Sequence, residues 1–311
     1  MIGILTKSTG SRYLVRLPNG EIIDCVLKGK IRLDGRKTTN PVAVGDVVDV
    51  ESDENGDYVI ANIHPRKNYI IRKSINLSKQ AQILASNLDQ AMLVVTLVAP
   101  RTSLGFIDRF LITAEAYSIP AILVFNKSDV LDEELLGLQQ EIISIYENAG
   151  YKCIVVSSLK KQNLDEVKDL LKDKTTLISG HSGVGKSTLI NAIEPGLDLK
   201  TGDISSVHLK GMHTTTFAEL HPLSFGGFII DTPGIKELGL VEMKKEEVGH
   251  YFPEIRKVMN NCKFNNCLHV NEPKCAVKEA VENGEISEER YHSYLGILNG
   301  EEMDWKEWEL R

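Results

Sequence analysis

Gly180-His181-Ser182-Gly183-Val184-Gly185-Lys186-Ser187 carries the G-x4-G-K-S spacing in full. Glycines at these positions let backbone N–H groups turn inward on a phosphate, and Lys186 places a cation beside it. Ser187 offers a hydroxyl to Mg²⁺, and Thr188 continues the helix that the loop opens. Asp231 ends an apolar run in Asp231-Thr232-Pro233-Gly234. A carboxylate there holds Mg²⁺ through water, and Gly234 is small enough to bring its N–H against a γ-phosphate. Thr214-Thr215-Thr216 stands between the two motifs. One of its hydroxyls, assigned to Thr215, completes the Mg²⁺ shell only when the γ-phosphate is present, while another of the three starts the next strand.

Asn126-Lys127-Ser128-Asp129 precedes the phosphate loop, although a base-reading segment normally follows it. The Asp129 carboxylate presents two acceptors to the N1–H and N2 amino donors of guanine, a pair adenine cannot match. Asn126 is expected to bond the other edge of the base. Lys127 is expected to lay its stem over the ring and tie the segment to the phosphate loop. Ser157-Ser158-Leu159 offers backbone N–H groups to guanine O6, and taken alone reads equally well as a strand-to-helix turn.

Ile235 occupies the position after Gly234 where many GTPases place the glutamine that orients water. An aliphatic side chain cannot do this, so unassisted hydrolysis is expected to be slow. His213, beside the threonines, and His181, inside the loop, are the imidazoles that could orient water. His213 is the preferred catalytic candidate, acting with Lys186 and Thr215. The competing reading of each is an ordinary surface histidine.

Cys262-x4-Cys267-x-His269-x5-Cys275 brings three thiols and an imidazole into a short segment. These donors suit tetrahedral Zn²⁺, and four protein ligands leave no open position, so the site reads as structural. Buried, unligated cysteines are the alternative. Cys25 and Cys153 fall in strand patterns and read as core residues.

A net charge of −7 argues against a uniformly basic nucleic-acid binder. RNA contact would have to use local clusters. The first is Lys28, Lys30, Arg32, Arg36 and Lys37; the second is Arg66, Lys67, Arg72, Lys73 and Lys79. Both also read as solvated loops and strand edges. No apolar run approaches a membrane span, and the first residues lack a signal-peptide pattern, so a cytoplasmic location without membrane contact is expected.

Three patterns follow one another along the chain. Short strands over 12–17, 21–27, 46–51 and 57–63, separated by Gly, Asn and Asp turns, suggest a small barrel of the OB type. From about residue 86, strands at 92–97, 121–125, 153–156, 175–178, 217–220 and 227–230 alternate with helical segments at 106–117, 133–149, 164–171 and 186–193. That is the rhythm of a parallel sheet covered on both faces. Residues 194–211 have little periodicity and read as a switch loop. After about 245 the chain is helical and acidic. The expected division is residues 1–70, an OB-fold RNA-binding domain; 71–240, a GTPase domain; and 241–311, a helical zinc-binding domain.

The permuted order N-K-S-D, S-S-L, G-H-S-G-V-G-K-S, G-M-H-T-T-T, D-T-P-G and then C-x4-C-x-H-x5-C resembles the circularly permuted GTPases of the RsgA (YjeQ) family over nearly the whole chain. Met212 stands where that family more often has a polar or basic residue. The resemblance implies an OB barrel, a permuted GTPase domain and a zinc domain. It implies GTP hydrolysis to GDP in late maturation of the small (30S) ribosomal subunit, stimulated by that subunit, with rRNA bound by the outer domains. The expected protein is a monomer using Mg²⁺ with GTP and one structural Zn²⁺. Two other readings remain: a P-loop kinase or ATPase, which Asn126 to Asp129 disfavours, and a GTP-controlled RNA-binding translation or RNA-modification factor.

Overall fold

The computed structural model describes residues 1–28, 41–53, 55–73, 81–199, 218–231 and 243–300. Strands β1 (Ile2–Ser8), β2 (Tyr13–Arg16), β3 (Ile22–Leu27), β4 (Val47–Ser52) and β5 (Tyr58–Ile63) close into a barrel in the order β1-β2-β3-β5-β4-β1. β3 and β5 pair in parallel, and the other neighbours are antiparallel. Alternate residues point inward, so Leu5, Tyr13, Val15, Ile23, Cys25, Val48, Val50 and Ile60 fill the interior. Four of these strands agree with the sequence pattern. β1 lies outside that pattern, because a register shift between Leu5 and Lys7 interrupts its alternation.

The hairpin of β6 (Tyr69–Lys73) and β7 (Ala81–Ser86) adds a further pair of strands between the barrel and the central layer. Its Ile70 and Ala85 join the core of the following layer. The junction is held by Asp46, whose buried carboxylate accepts from Arg66 Nε and Nη2 at 2.6 Å each and from Ser86 Oγ at 2.6 Å. Lys67 pairs with Asp89, and Lys28 with Glu51 at 2.6 Å. Three of the basic residues expected to face RNA are therefore engaged within the protein. Lys30, Arg32, Arg36, Lys37, Lys79 and the side chains of Arg72 and Lys73 lie outside the described residues.

The central layer is built on β8 (Gln90–Val95), β9 (Ala121–Phe125), β10 (Lys152–Val155), β11 (Thr175–Ser179), β12 (Glu219–Pro222) and β13 (Phe228–Asp231), in the order β10-β9-β8-β11-β13-β12. All neighbours run parallel except β12 with β13. Every residue of β8 is buried. Ala91, Leu93 and Val95 face a core with helices α1 (Leu104–Ala116) and α2 (Glu133–Ala149). Met92 and Val94 face the opposite core, with α3 (Leu164–Leu171) and α4 (Lys186–Ile193). Burial on both faces explains why β8 reads as an unbroken apolar run. Thr96 and Leu97, expected within the strand, have left it: the Thr96 N–H is taken by Thr102 Oγ1 at 3.1 Å.

β8 and β11 are adjacent, yet the helices that follow them lie on opposite faces. Their carboxyl ends therefore flank the crevice where α/β sheets bind ligands. Among the described residues one register pair, Lys7 with Glu219, joins β1 to β12 and makes the barrel continuous with this sheet. The remaining helices are α5 (Lys245–Val248), α6 (Pro253–Val258), α7 (Ala276–Glu282) and α8 (Glu288–Asn299). Their core is Val248, Phe252, Ile255, Val277, Ala280, Tyr294 and Leu298, with Ile112 of α1 inserted among them.

Candidate functional site

β11 delivers the chain to Gly180, beneath β8: a Cβ there would stand 2.7 Å from the Val94 carbonyl oxygen. Gly183 and Gly185 have φ of +85° and +89°, a conformation that costs side chains dearly. The segment then enters α4 at Lys186, which sets the helix N-terminus at the loop, the end that favours an anion. Val184 is buried in the core. Ser187 and Thr188, in the first turn of α4, are half-buried, whereas Ser182 and Gly183 are exposed. β13 runs beside β11 with Asp231 opposite Ile178, which brings the Asp231 carboxylate to the same end of the sheet. There it forms an ion pair with the Lys186 ammonium, the side chains 14% and 13% exposed. The His181 ring lies on Phe106 of α1, centroids 3.7 Å apart. The histidine weighed as a water-orienting group is thus stacked on a helix.

Asn126, 2% exposed, leaves β9 toward the loop. Its Nδ2 donates to the Val184 carbonyl at 2.8 Å, and its Oδ1 accepts from Ser158 N at 3.0 Å and Ser158 Oγ at 2.8 Å. The side chain expected on the base edge therefore bolts the phosphate loop to the Ser157-Ser158 turn, with one Nδ2 hydrogen left over. The Ser158 N–H, one of those in the Ser157-Ser158-Leu159 segment, is engaged in this bond. Lys127, with φ of +64°, donates its ammonium to the Ala99 carbonyl. Pro100 lies against Gly183, where a Cβ would meet Pro100 Cδ at 3.2 Å. Asp129 follows in a short 3-10 turn over Ser128–Val130, half-buried, with Oδ1 accepting from Ser157 Oγ at 2.5 Å. That bond fixes the carboxylate's rotation. Ala99, Pro100 and Phe106 carried no motif that spacing could reveal.

His213, Thr215, Gly234 and their neighbours Thr214 and Ile235 lie outside the described residues.

The second cluster is in the tail. The ligand atoms of Cys262, Cys267, His269 and Cys275 lie within 4.8 Å of one another. His269 Nδ1 is 3.5 Å from Cys262 Sγ and 3.4 Å from Cys275 Sγ, which are 3.9 Å apart. Metal–sulfur bonds of about 2.3 Å and metal–nitrogen bonds of about 2.0 Å span a tetrahedron with edges of roughly 3.5–3.8 Å. The donors fit one metal ion. Burial pushes the Cys267 thiol up to about 12, reinforced by Cys275 and Cys262, so a cation is needed to hold it as a thiolate. Burial also lowers the pKa of His269 and favours its neutral, ligating form. Three residues that are not ligands shape the loop. Glu272 accepts from the N–H groups of Leu268 at 2.8 Å, Val270 at 2.9 Å and Asn271 at 3.1 Å. Tyr291 and Tyr294 of α8 donate to the carbonyls of His269 at 2.6 Å and Leu268 at 2.7 Å. The remaining cysteines differ: Cys25 is fully buried, with its thiol raised to about 11 by burial, while Cys153 is only half-buried.

Two family models cover most of the chain: "RsgA N-terminal domain" matches residues 2–60 and "RsgA GTPase" residues 63–241. The chain belongs to the RsgA GTPase family. It is therefore a GTP hydrolase of permuted order. RsgA relatives extend through the tail as well. The "Small ribosomal subunit biogenesis GTPase RsgA" of Flavobacterium psychrophilum is 56% identical over 309 residues, 98% of this chain and 95% of that one. Its Bacteroides fragilis counterpart is 54% identical over 302 residues, 97% of each chain. Among solved structures, YjeQ from Thermotoga maritima matches with a TM-score of 0.78 at 38% identity, covering 96% of this chain and 97% of that one. YloQ, described as a circularly permuted GTPase, matches with a TM-score of 0.74 at 32% identity, covering 96% and 94%. The barrel, the permuted GTPase layer and the tail with its cysteine–histidine cluster are thus the RsgA architecture.

Proposed function

We infer that the chain hydrolyses GTP during late maturation of the small (30S) ribosomal subunit, and that binding to the subunit stimulates it. The observation that carries this reading is the Asn126 bridge. A base-reading segment placed before the phosphate loop is nonetheless joined to it in space, in a chain matched end to end by relatives named for small-subunit biogenesis.

Asp129, held by Ser157, reads guanine; Asn126, Lys127, Ser128 and Ser158 frame the base. Gly180 to Thr188 cradle the phosphates, Lys186 balances their charge, and Gly234 donates to the γ-phosphate. Ser187, Thr215 and Asp231 would hold Mg²⁺, which when bound neutralises charge on the β- and γ-oxygens. His213 orients the attacking water, a task Ile235 cannot perform. Cys262, Cys267, His269 and Cys275 would hold Zn²⁺, whose closed coordination shapes the tail. The division 1–70, 71–240 and 241–311 assigns rRNA contact to the first and last domains. The protein works in the cytoplasm as a monomer; among the described residues no helix is long and apolar enough to cross a membrane.

The test is the rate of GTP hydrolysis with and without purified small subunits, using ATP as the control nucleotide. Selective stimulation of GTP hydrolysis is expected. Hydrolysis indifferent to the subunit would remove the ribosomal role, and equal use of ATP would remove the base assignment.

A further inference from the structure

Helix α1 belongs to two cores at once. Ile107, Phe110, Leu111 and Ala114 pack in the GTPase layer, whereas Ile112 is part of the core of the tail. Asp108, Ile112 and Glu115 follow one another by four and three residues, so they share the face turned to the tail. Along this face Asp108 Oδ1 accepts from Arg290 Nη1 at 2.5 Å, and Glu115 pairs with Arg256 at 3.1 Å. Arg290, 2% exposed, also donates from Nε and Nη2 to Glu254 at 2.6 and 3.2 Å, and its guanidinium lies 4.6 Å from the centre of the Phe252 ring. Tyr146 of α2 closes the network with a 2.9 Å bond to Asp108. A buried charge cannot give up its partner cheaply, so this clamp fixes α1 to the tail.

The same helix carries Phe106, whose ring lies on His181 with a 31° angle between planes. An imidazole in the second position of a phosphate loop needs no aromatic neighbour to bind phosphate. Here the stack joins the loop to the first turn of α1, two residues from the clamp.

We propose that α1 lets the tail act on the phosphate loop: Phe106 is a positioning residue that braces His181, and the Arg290–Asp108 clamp sets where Phe106 stands. A partner pulling on the tail would then alter nucleotide binding through this helix. The inference rests on the reading of the loop as a guanine-nucleotide site and adds a positioning device to it.

The experiment is titration of the full-length protein with mant-GDP, together with GTP turnover, for Phe106→Leu, Phe106→Tyr, Arg290→Lys, Tyr146→Phe and the doubles with Phe106→Leu. Melting and metal content serve as checks on folding. Phe106→Leu is expected to weaken mant-GDP roughly three- to tenfold, with turnover at saturation changed less and melting little altered. Phe106→Tyr keeps the ring and should restore binding. Arg290→Lys should weaken binding alone but add little once Phe106 is leucine, because one device is broken twice. Should Arg290→Lys fail to fold, Tyr146→Phe carries the same cycle with the ring retained. Unchanged affinity in Phe106→Leu, or full additivity in the doubles, overturns the proposal while leaving the guanine reading intact. A wild-type protein that does not bind mant-GDP overturns both.

Discussion

The Lys186 ammonium, at the start of α4, and the Asp231 carboxylate, at the end of β13, are joined in an ion pair. Each is the group its motif reserves for a different part of Mg²⁺–GTP, so nucleotide must exchange this bond for Lys186–phosphate and Asp231–metal contacts. Asp231→Asn removes a competitor for the ammonium. It should raise GDP affinity severalfold in EDTA and lower Mg²⁺-dependent hydrolysis by orders of magnitude. Lys186→Ala and Ser187→Ala should lose hydrolysis to a similar extent. Fluorescent nucleotide titration with and without Mg²⁺ checks the first effect, and phosphate release the second.

Asp129→Asn should weaken guanine nucleotides and admit xanthine nucleotides, because the amide offers a donor where xanthine carries a 2-oxo acceptor. Ser157→Ala should lower GTP affinity less, since it frees the rotation of a carboxylate that is still present. Competition of GTP, XTP and ATP against a labelled nucleotide reads both. Wild-type selectivity in Asp129→Asn would place base recognition elsewhere.

Cys267→Ser should release the metal and lower the melting temperature of the tail, and because no ligand touches the phosphate loop, any loss of GDP affinity should not exceed that of Phe106→Leu. Metal analysis of the purified wild type checks the site directly. Zinc at one equivalent is expected, and a metal-free, fully folded protein would refute it.

Glu272 contributes without touching the metal. Burial opposes its ionisation, but four backbone N–H groups outweigh this and hold its pKa below the usual range. A lowered folded-state pKa stabilises above the unfolded value and is lost as the pH falls through the folded one. Tail stability should therefore drop below pH ~4, and Glu272→Gln should flatten that part of the melting profile. An unchanged profile would mean the bonds carry no net stability.

Ile235 cannot orient water, so the unassisted rate should be near ~10⁻⁴ s⁻¹. His213→Ala should remove most of the subunit-stimulated rate and leave GTP affinity and the unassisted rate within a few-fold. Full stimulation in this variant would assign the water to another side chain or to rRNA.

The residues from Gly180 to Thr188 declared a phosphate loop in sequence because the requirement is local. Consecutive N–H groups converge only where glycines permit positive φ, as at Gly183 and Gly185, and a cation and a hydroxyl must follow at fixed spacing. The metal cluster was legible for the same reason: thiols and an imidazole within one short loop. Permuted motif order named the family. The barrel could be read from its turn chemistry, but β1 and the β6–β7 hairpin could not, since register shifts at Leu5/Lys7 and Ile70/Ile71 interrupt their alternation. Tertiary structure gave Asn126 a second task that its motif does not show: its amide meets the Val184 carbonyl, 58 residues away, and ties the phosphate loop to the Ser158 turn. Arg66 looked available to RNA until folding set the buried Asp46 beside it. The clamp between Asp108 and Arg290 spans 182 residues. A charged residue on a helix has no sequence mark that separates a solvated position from a buried one; only the surface packed against it removes the water and makes the partner necessary.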